Sequence, residues 1–320
     1  ALMIENRDYQ NWQQFMDPFT TAEGKEVKRP RPGHADLAGA MKYHHQDLRN
    51  VLERSSARET AARVAAGAIC SKLLALFDIK IYSQVVGIGG VVSPSRGCPL
   101  TGELSARAEA SPVRCPDEES SRRMVAAIDR ARAEGESLGG SFEVAAVNVP
   151  PGLGSHVQSD RRLDSRLASA LMGIPAIKAV EIGEGVLASR QGGSSVHDQI
   201  YFSESDGLYR RENKAGGIEG GISNGEPVWA RAYMKPIPTL YRPLTSVNID
   251  TWQEERADIE RSDICAVPAA AVAGEAVMSL VLADELLIKL GGDSIDEITA
   301  NYRNYEGYLE KVWRWKKTSY

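Results

Sequence analysis

Apolar positions along the chain fall into two periods. Val64, Ala65, Ala68, Ile69, Leu73 and Leu76 recur at three and four residues, the spacing of one helix stripe. Ser56 followed by Glu59 is a capping box, which predicts a helix start near Ala57. A second helical pattern, Ala35 to Val51, leads into it. Asp160 to Met172 places Leu163, Leu167 and Leu171 on one face, and Pro116 with three acids starts a helix that turns Met124, Val125 and Ile128 inward and stops at Gly135. The period of two marks strands at Gly139 to Val149, Ala176 to Ile182 and Val228 to Met234, and a long strand or hairpin at Ile79 to Val92. Ala1 to Ile4 reads as a further strand. Asn6 to Gly24 reads as loop or short helix, Cys98 to Ser111 is weakly patterned, and Gln191 to Asn224 is loop-rich. The longest apolar stretch, Ile264 to Ala283, contains Glu275 and ends in Asp284 and Glu285, so a buried helix is predicted rather than a membrane span. Tyr302 to Lys317 is an amphipathic aromatic helix suited to packing or a subunit contact. No repeat and no low-complexity linker divides the chain, which is expected to form one domain over 1–320.

Composition narrows the partners. The chain is 42% hydrophobic and 25% charged, with a net charge of −5 and a pI near 5.7. An acidic balance argues against a general binder of nucleic acid or of anionic membranes, which needs a basic excess to displace counterions. Between Lys25 and Arg63, however, nine basic residues face five acids. An anionic ligand would be held by that local surplus. Cys70, Cys98, Cys115 and Cys265 form no C-x-x-C pair, which fits reduced thiols in a cytoplasmic protein. Ala1 to Gln10 has no signal-peptide pattern, and the opening A-L-M-I-E-N, without an initiator methionine, reads as the inside of a longer sequence.

The chemistry is approached by elimination. There is no G-x-S-x-G, H-E-x-x-H or P-loop pattern, and the glycine cluster Gly216 to Gly225 lacks a phosphate-binding spacing. That cluster is either a tight hairpin or a backbone that lets a flat ligand approach closely. His34 and Asp36 form an H-x-D without a third metal-ligand motif, so a metal is not predicted. What remains are stiff, charged segments at element ends: R-P-G-H-A-D at Arg31 to Asp36, R-S-S-A-R-E at Arg54 to Glu59, K-P-I-P-T at Lys235 to Thr239, and R-S-D at Arg261 to Asp263. On spacing alone the arginine-rich helix start reads first as an ordinary capped core helix. Arginines converging on one pocket would suit a small polyanion such as a phosphorylated carboxylate, with aspartate as proton acceptor and histidine as donor.

These blocks, with E-I-G-E-G at Glu181 to Gly185, G-G-I-E-G-G-I-S-N-G at Gly216 to Gly225 and R-S-D-I-C-A-V-P at Arg261 to Pro268, resemble the chorismate synthase family in kind and order. The resemblance implies an α+β fold, a sandwich of antiparallel β-sheets surrounded by helices, and a homotetramer. It implies a lyase reaction in the shikimate pathway of aromatic amino acid biosynthesis, the anti-1,4-elimination of phosphate from 5-enolpyruvylshikimate 3-phosphate, with reduced FMN as cofactor. Whether NADPH would reduce the flavin on the protein itself stays open. By the same resemblance Arg54, Ser55, Ser56, Pro175, Ala176, Gly220, Lys235, Pro236, Ile237, Pro238, Thr239 and Arg261 are flavin-binding positions. Arg31, Arg58 and Arg261 lie near the substrate's anionic groups. His34 matches the histidine that protonates the reduced flavin, and Asp263 the aspartate that helps remove the C6 proton.

One block of the family pattern has no counterpart here: the opening strand and its G-E-S-H-G, whose histidine lies by the leaving phosphate. The expectation is therefore a chain lacking the family's N-terminal segment. It is either a fragment of an active enzyme or an inactive paralogue that keeps the flavin and phosphate pocket without turnover.

Overall fold

The computed structural model describes residues 1–317 apart from 16, 18, 20–25, 56, 96 and 98–101. Ser56, and with it the predicted capping box, lies outside the described residues, as does Cys98. In chain order the helices are α1 (Tyr9–Trp12), α2 (Asp36–Tyr43), α3 (Arg49–Arg54), α4 (Thr60–Ala75), α5 (Gly102–Ala110), α6 (Glu118–Glu134), α7 (Leu163–Met172), α8 (Gly185–Ala188), α9 (Gly193–Val196), α10 (Val267–Leu290) and α11 (Ile295–Trp313). The strands are β1 (Lys80–Ile88), β2 (Val91–Val92), β3 (Gly140–Val147), β4 (Ile177–Ile182), β5 (Ile200–Ser203), β6 (Gly207–Arg210), β7 (Ile218–Glu219), β8 (Ile222–Ser223), β9 (Val228–Met234), β10 (Thr245–Val247) and β11 (Glu254–Arg256). The chain divides into two compact units.

The larger unit comprises Arg63–Ala127, Gly139–Lys235 and Ala266–Tyr320. Its core is a five-stranded antiparallel sheet in the order β2-β1-β3-β9-β4. The stretch Ile79 to Val92 resolves as a hairpin, β1 and β2. Phe142 to Val147 on β3 are all buried because the strand is flanked by β1 and β9 and covered on both faces. α10 packs on β1 and β3, and α7 packs on α10 and β4. Leu163, Leu167 and Leu171 are fully buried, as the sequence period requires. α10 is apolar round most of its circumference because it is enclosed by sheet and helices. Of its three acids, Glu275 lies nearest the middle and is paired: its Oε1 accepts from Ser83 Oγ at 2.6 Å and from Arg114 Nη2 at 2.9 Å. Burial nonetheless pushes the Glu275 carboxyl above its ordinary range. Among the described residues no helix is long and apolar enough to cross a membrane.

The apolar stripe of α4 is not the face that packs. Gly67 and Leu74 are buried, whereas Ile69 and Leu76 are 56% and 61% exposed. The reason is a close helix crossing: a Cβ on Gly67 would sit 2.6 Å from the Cα and Cβ of Ala276. Only the hydrogen at Gly67 allows that approach, and it sets the rotation of the helix more strongly than the larger side chains do. The helix begins with a 3-10 turn at Ala57–Glu59, and α-geometry starts at Thr60. The weakly patterned stretch before Ser111 contains α5, which the sequence did not signal.

The smaller unit comprises Ala1–Ala62, Ile128–Leu138 and Pro236–Cys265. Val27, Ala40, Leu48 and Val51 form its buried cluster, with Leu52 and Ile249 packed against them. The helical pattern over Ala35 to Val51 is broken in two, since His44 takes φ +56° and its N–H donates to Ala40 O, closing α2 before α3 begins. Ala1 to Ile4 is not a strand, and Leu2, Met3 and Ile4 are exposed.

Candidate active site

The site begins with a turn in the smaller unit. Pro30 and Pro32 fix the path of the chain, Gly33 takes φ +82°, and the His34 N–H donates to Arg31 O at 3.1 Å. The turn folds His34 and Asp36 back onto Arg31. Asp36 opens α2 and is fully buried. Its Oδ2 accepts from the Arg31 backbone N–H at 3.1 Å and from Arg31 Nε at 2.9 Å. Its Oδ1 accepts from His34 Nδ1 at 2.5 Å and from Arg31 Nη2 at 3.2 Å. Arg31 Nη1 donates to Thr239 Oγ1 at 2.7 Å, which ties this turn to the K-P-I-P-T segment.

Burial on its own would raise the Asp36 carboxyl. The hydrogen bonds and charges of His34 and Arg31 outweigh it and hold the group well below the usual carboxylate range. An ionised Asp36 accepts only, so His34 Nδ1 is the donor of the 2.5 Å bond. Arg31 Nη2 also lies 3.0 Å from Nδ1. It also lies 3.4 Å from Nε2, the acceptor nitrogen of that tautomer, so the guanidinium contacts the ring as well as the shared carboxylate.

The remaining candidates of this unit fall into two further groups. Arg54, Arg58 and Arg261 are exposed. Asp8 has its carboxyl lowered first by hydrogen bonds from Asn11 and Trp12, then by the charges of Arg58 and Arg261, so those two arginines act on one place. Ser55 Oγ donates to Val51 O at 2.8 Å. Asp263 lines a cleft of about 440 Å³ with Ile128, Arg132, Tyr241, Ser262, Ile264 and Cys265. Tyr241 donates its hydroxyl to Ser262 O at 3.1 Å, and Leu138 N–H donates to Ile264 O at 2.8 Å, which fix the walls. Ser137 Oγ donates to Ile237 O at 2.6 Å and pins the segment between Pro236 and Pro238. Among the described residues, no hydrogen bond or ion pair joins the Arg31 cluster to Asp263. Arg132 was not singled out in the sequence, because a basic residue at the end of a helix carries no signal of its own.

In the larger unit, Ala176 takes φ +68° and its carbonyl accepts the Lys235 N–H at 3.0 Å, so two candidates far apart in sequence meet beside the β4–β9 pairing. Pro175 is half-buried next to them. Gly220 takes φ +60° at the tip of the β7–β8 hairpin, with open space where a side chain would stand. The glycine cluster is thus a tight hairpin whose tip a ligand can approach. The sequence also missed a buried charge network. Arg231 on β9 donates to Glu143 on β3 at 2.9 and 2.6 Å and to Glu181 on β4 at 2.9 Å. Its sequence signal is charge at positions of mostly apolar strands.

The fold is α+β with antiparallel sheets, and the smaller unit carries exposed arginines and a buried carboxylate bonded to a histidine. The family profile of chorismate synthase matches residues 1–287. The chain is 58% identical over 321 residues to chorismate synthase of Syntrophomonas wolfei, covering 99% of this chain and 81% of that protein. It is 55% identical to chorismate synthase of Symbiobacterium thermophilum, covering 98% and 81%. A solved structure, "Crystal Structure of Chorismate Synthase", superposes with a TM-score of 0.75 at 46% identity over 87% of this chain and 77% of that one. The chain belongs to the chorismate synthase family. The family consists of carbon–oxygen lyases.

Proposed function

We propose that the chain carries out the reaction of its family, converting 5-enolpyruvylshikimate 3-phosphate to chorismate and phosphate with reduced FMN. The observation that carries this reading beyond family membership is the cluster of Arg31, His34, Asp36 and Thr239, which sets a proton-bearing imidazole beside fixed cationic donors. In the elimination, the electron pair of the C6–H bond forms a new double bond, the existing double bond shifts, and the C3–O electrons leave with phosphate. No net oxidation occurs.

The residues fit an FMN-type ligand in their donor chemistry. Arg54 and Arg261 are exposed cations, and the open hairpin tip at Gly220 allows the close approach of a flat ring. In the smaller unit the proposed flavin positions are Arg54, Ser55, Ser56, Pro236 to Thr239 and Arg261; in the larger unit they are Pro175, Ala176, Gly220 and Lys235. When bound, reduced FMN supplies transient electron density that weakens the C3–O bond. Arg31, Arg58 and Arg261 bind the anionic groups of the substrate and stabilise the departing phosphate. Asp263 accepts the C6 proton, and His34 holds a proton at Nε2, the ring nitrogen that Asp36 leaves free. The chain works as one catalytic domain in a cytoplasmic homotetramer.

The test is anaerobic incubation with 5-enolpyruvylshikimate 3-phosphate and photoreduced FMN, reading chorismate by its absorbance. Asp263→Ala is expected to keep FMN affinity and stop turnover. Absence of chorismate from the unmodified chain would sink the reading, and full turnover by Asp263→Ala would remove that residue from it.

A further inference from the structure

Asp36 belongs to none of the flavin, substrate or proton-transfer roles above, yet it is among the most tightly bound acids of the smaller unit. A fully buried carboxylate is retained only where its charge is compensated. Here the compensation is asymmetric. Arg31 takes both oxygens, and it alone would suffice to neutralise the charge. The second partner, His34 Nδ1 at 2.5 Å, is a group with a choice of tautomers. A neutral imidazole carries its proton on either nitrogen, and the nitrogen that faces a carboxylate is the one that keeps it. The His34 side chain is 18% exposed, so its ring lies at the edge of the protein with one nitrogen fixed inward.

We propose that Asp36 is a positioning residue for His34: it holds the ring in the Nδ1–H tautomer and leaves Nε2 as the nitrogen that gains and loses the working proton. Arg31 in turn holds Asp36, and its bond to Thr239 Oγ1 anchors the whole assembly to the K-P-I-P-T segment. The arrangement rests on the reading of His34 as a proton donor, but its geometry does not. When protonated, His34 carries a hydrogen on each nitrogen. Loss of the Nε2 proton returns it to the neutral form that Asp36 already favours, so no ring rotation accompanies the transfer. Without Asp36 the neutral ring would populate both tautomers. The Nε2–H form would then be unable to accept a proton where one is needed.

The experiment uses the full chain labelled with ¹⁵N-histidine, whose ring nitrogen shifts report which nitrogen is protonated. The His34 signal, assigned by its loss in His34→Ala, is expected to show the Nδ1–H form. In Asp36→Asn it is expected to move to a mixture or to Nε2–H. In the elimination assay Asp36→Asn is expected to lower kcat about 100-fold, the lower end of a general acid–base contribution, with KM little changed. Introduced into His34→Ala, Asp36→Asn is expected to have no further effect on kcat. If Asp36→Asn does not fold, Asp36→Glu, which keeps the charge opposite Arg31 but displaces the carboxylate from Nδ1, serves in its place. An unchanged Nδ1–H tautomer in the variant overturns the proposal. So does an equal loss of kcat in the His34→Ala background, because the effect would then be structural. Full turnover by His34→Ala would instead overturn the proton-donor reading while leaving the tautomer result to stand or fall separately.

Discussion

Arg231→Met tests how the main sheet tolerates charge. Arg231 bridges Glu143 and Glu181, whose side chains are 2% and 3% exposed. Burial works against the charge of Arg231, but the field of Glu143 and the hydrogen bonds around it push its pKa above the ordinary arginine value. Removing the guanidinium leaves two buried carboxylates on neighbouring strands. Breaking one such pair by deleting a partner costs about 3–5 kcal/mol. Neutral donors offset part of this. Glu143 keeps Gln84 Nε2 at 2.8 Å and the Gly97 N–H at 2.9 Å, and Glu181 keeps the Tyr233 hydroxyl at 2.7 Å and the Val186 N–H at 2.9 Å. The expected loss is therefore near the lower end, about 3 kcal/mol. In urea unfolding at fixed protein concentration, with a slope of about 3 kcal/mol per molar for a chain of this size, the midpoint falls by about 1 M. A loss below about 1 kcal/mol would show that the network is not held together by its charges.

Other perturbations read other parts of the fold. Gly67→Val should separate α4 from α10 and destabilise by about 1–3 kcal/mol, the usual range for overpacking, read by thermal unfolding. Ser294→Ala removes half of the capping box in which Ser294 Oγ accepts the Glu297 N–H, and should cost about 1 kcal/mol with no effect on ligand affinity. Asp36 has its folded-state carboxyl below the unfolded value. Its contribution to stability is thus present above the ordinary aspartate range and lost as pH falls through and below that range. Acid unfolding followed by circular dichroism should accordingly depend less steeply on pH in Asp36→Asn, and an unchanged slope would refute the assignment.

The parts of the fold legible in the sequence are those where one period dominates. β3, β4 and β9 announce themselves by alternation, and α7 by Leu163, Leu167 and Leu171, because each buries a face whose spacing matches its geometry. α4 shows where that logic fails. Its apolar stripe and its packed face differ because a glycine, invisible to any hydrophobic count, permits the closest contact. α5 was missed because its sequence, G-E-L-S-A-R-A-E-A, has only Ala108 buried and so little apolar period to read.

At the site, the sequence by itself determined the residue types: stiff proline-bearing turns, arginines near element ends, and His34 two residues before Asp36. Those follow from local chemistry, which chain order preserves. Which of them meet was decided only by tertiary structure. Arg31 reaches Thr239 across more than two hundred positions of chain, and Lys235 reaches Ala176, because strand pairing and helix packing close loops that no local pattern encodes. The role of Asp36 lies on that second side. As part of an H-x-D it suggested a poor metal site, and only its burial and its two partners show it to be the anchor of His34.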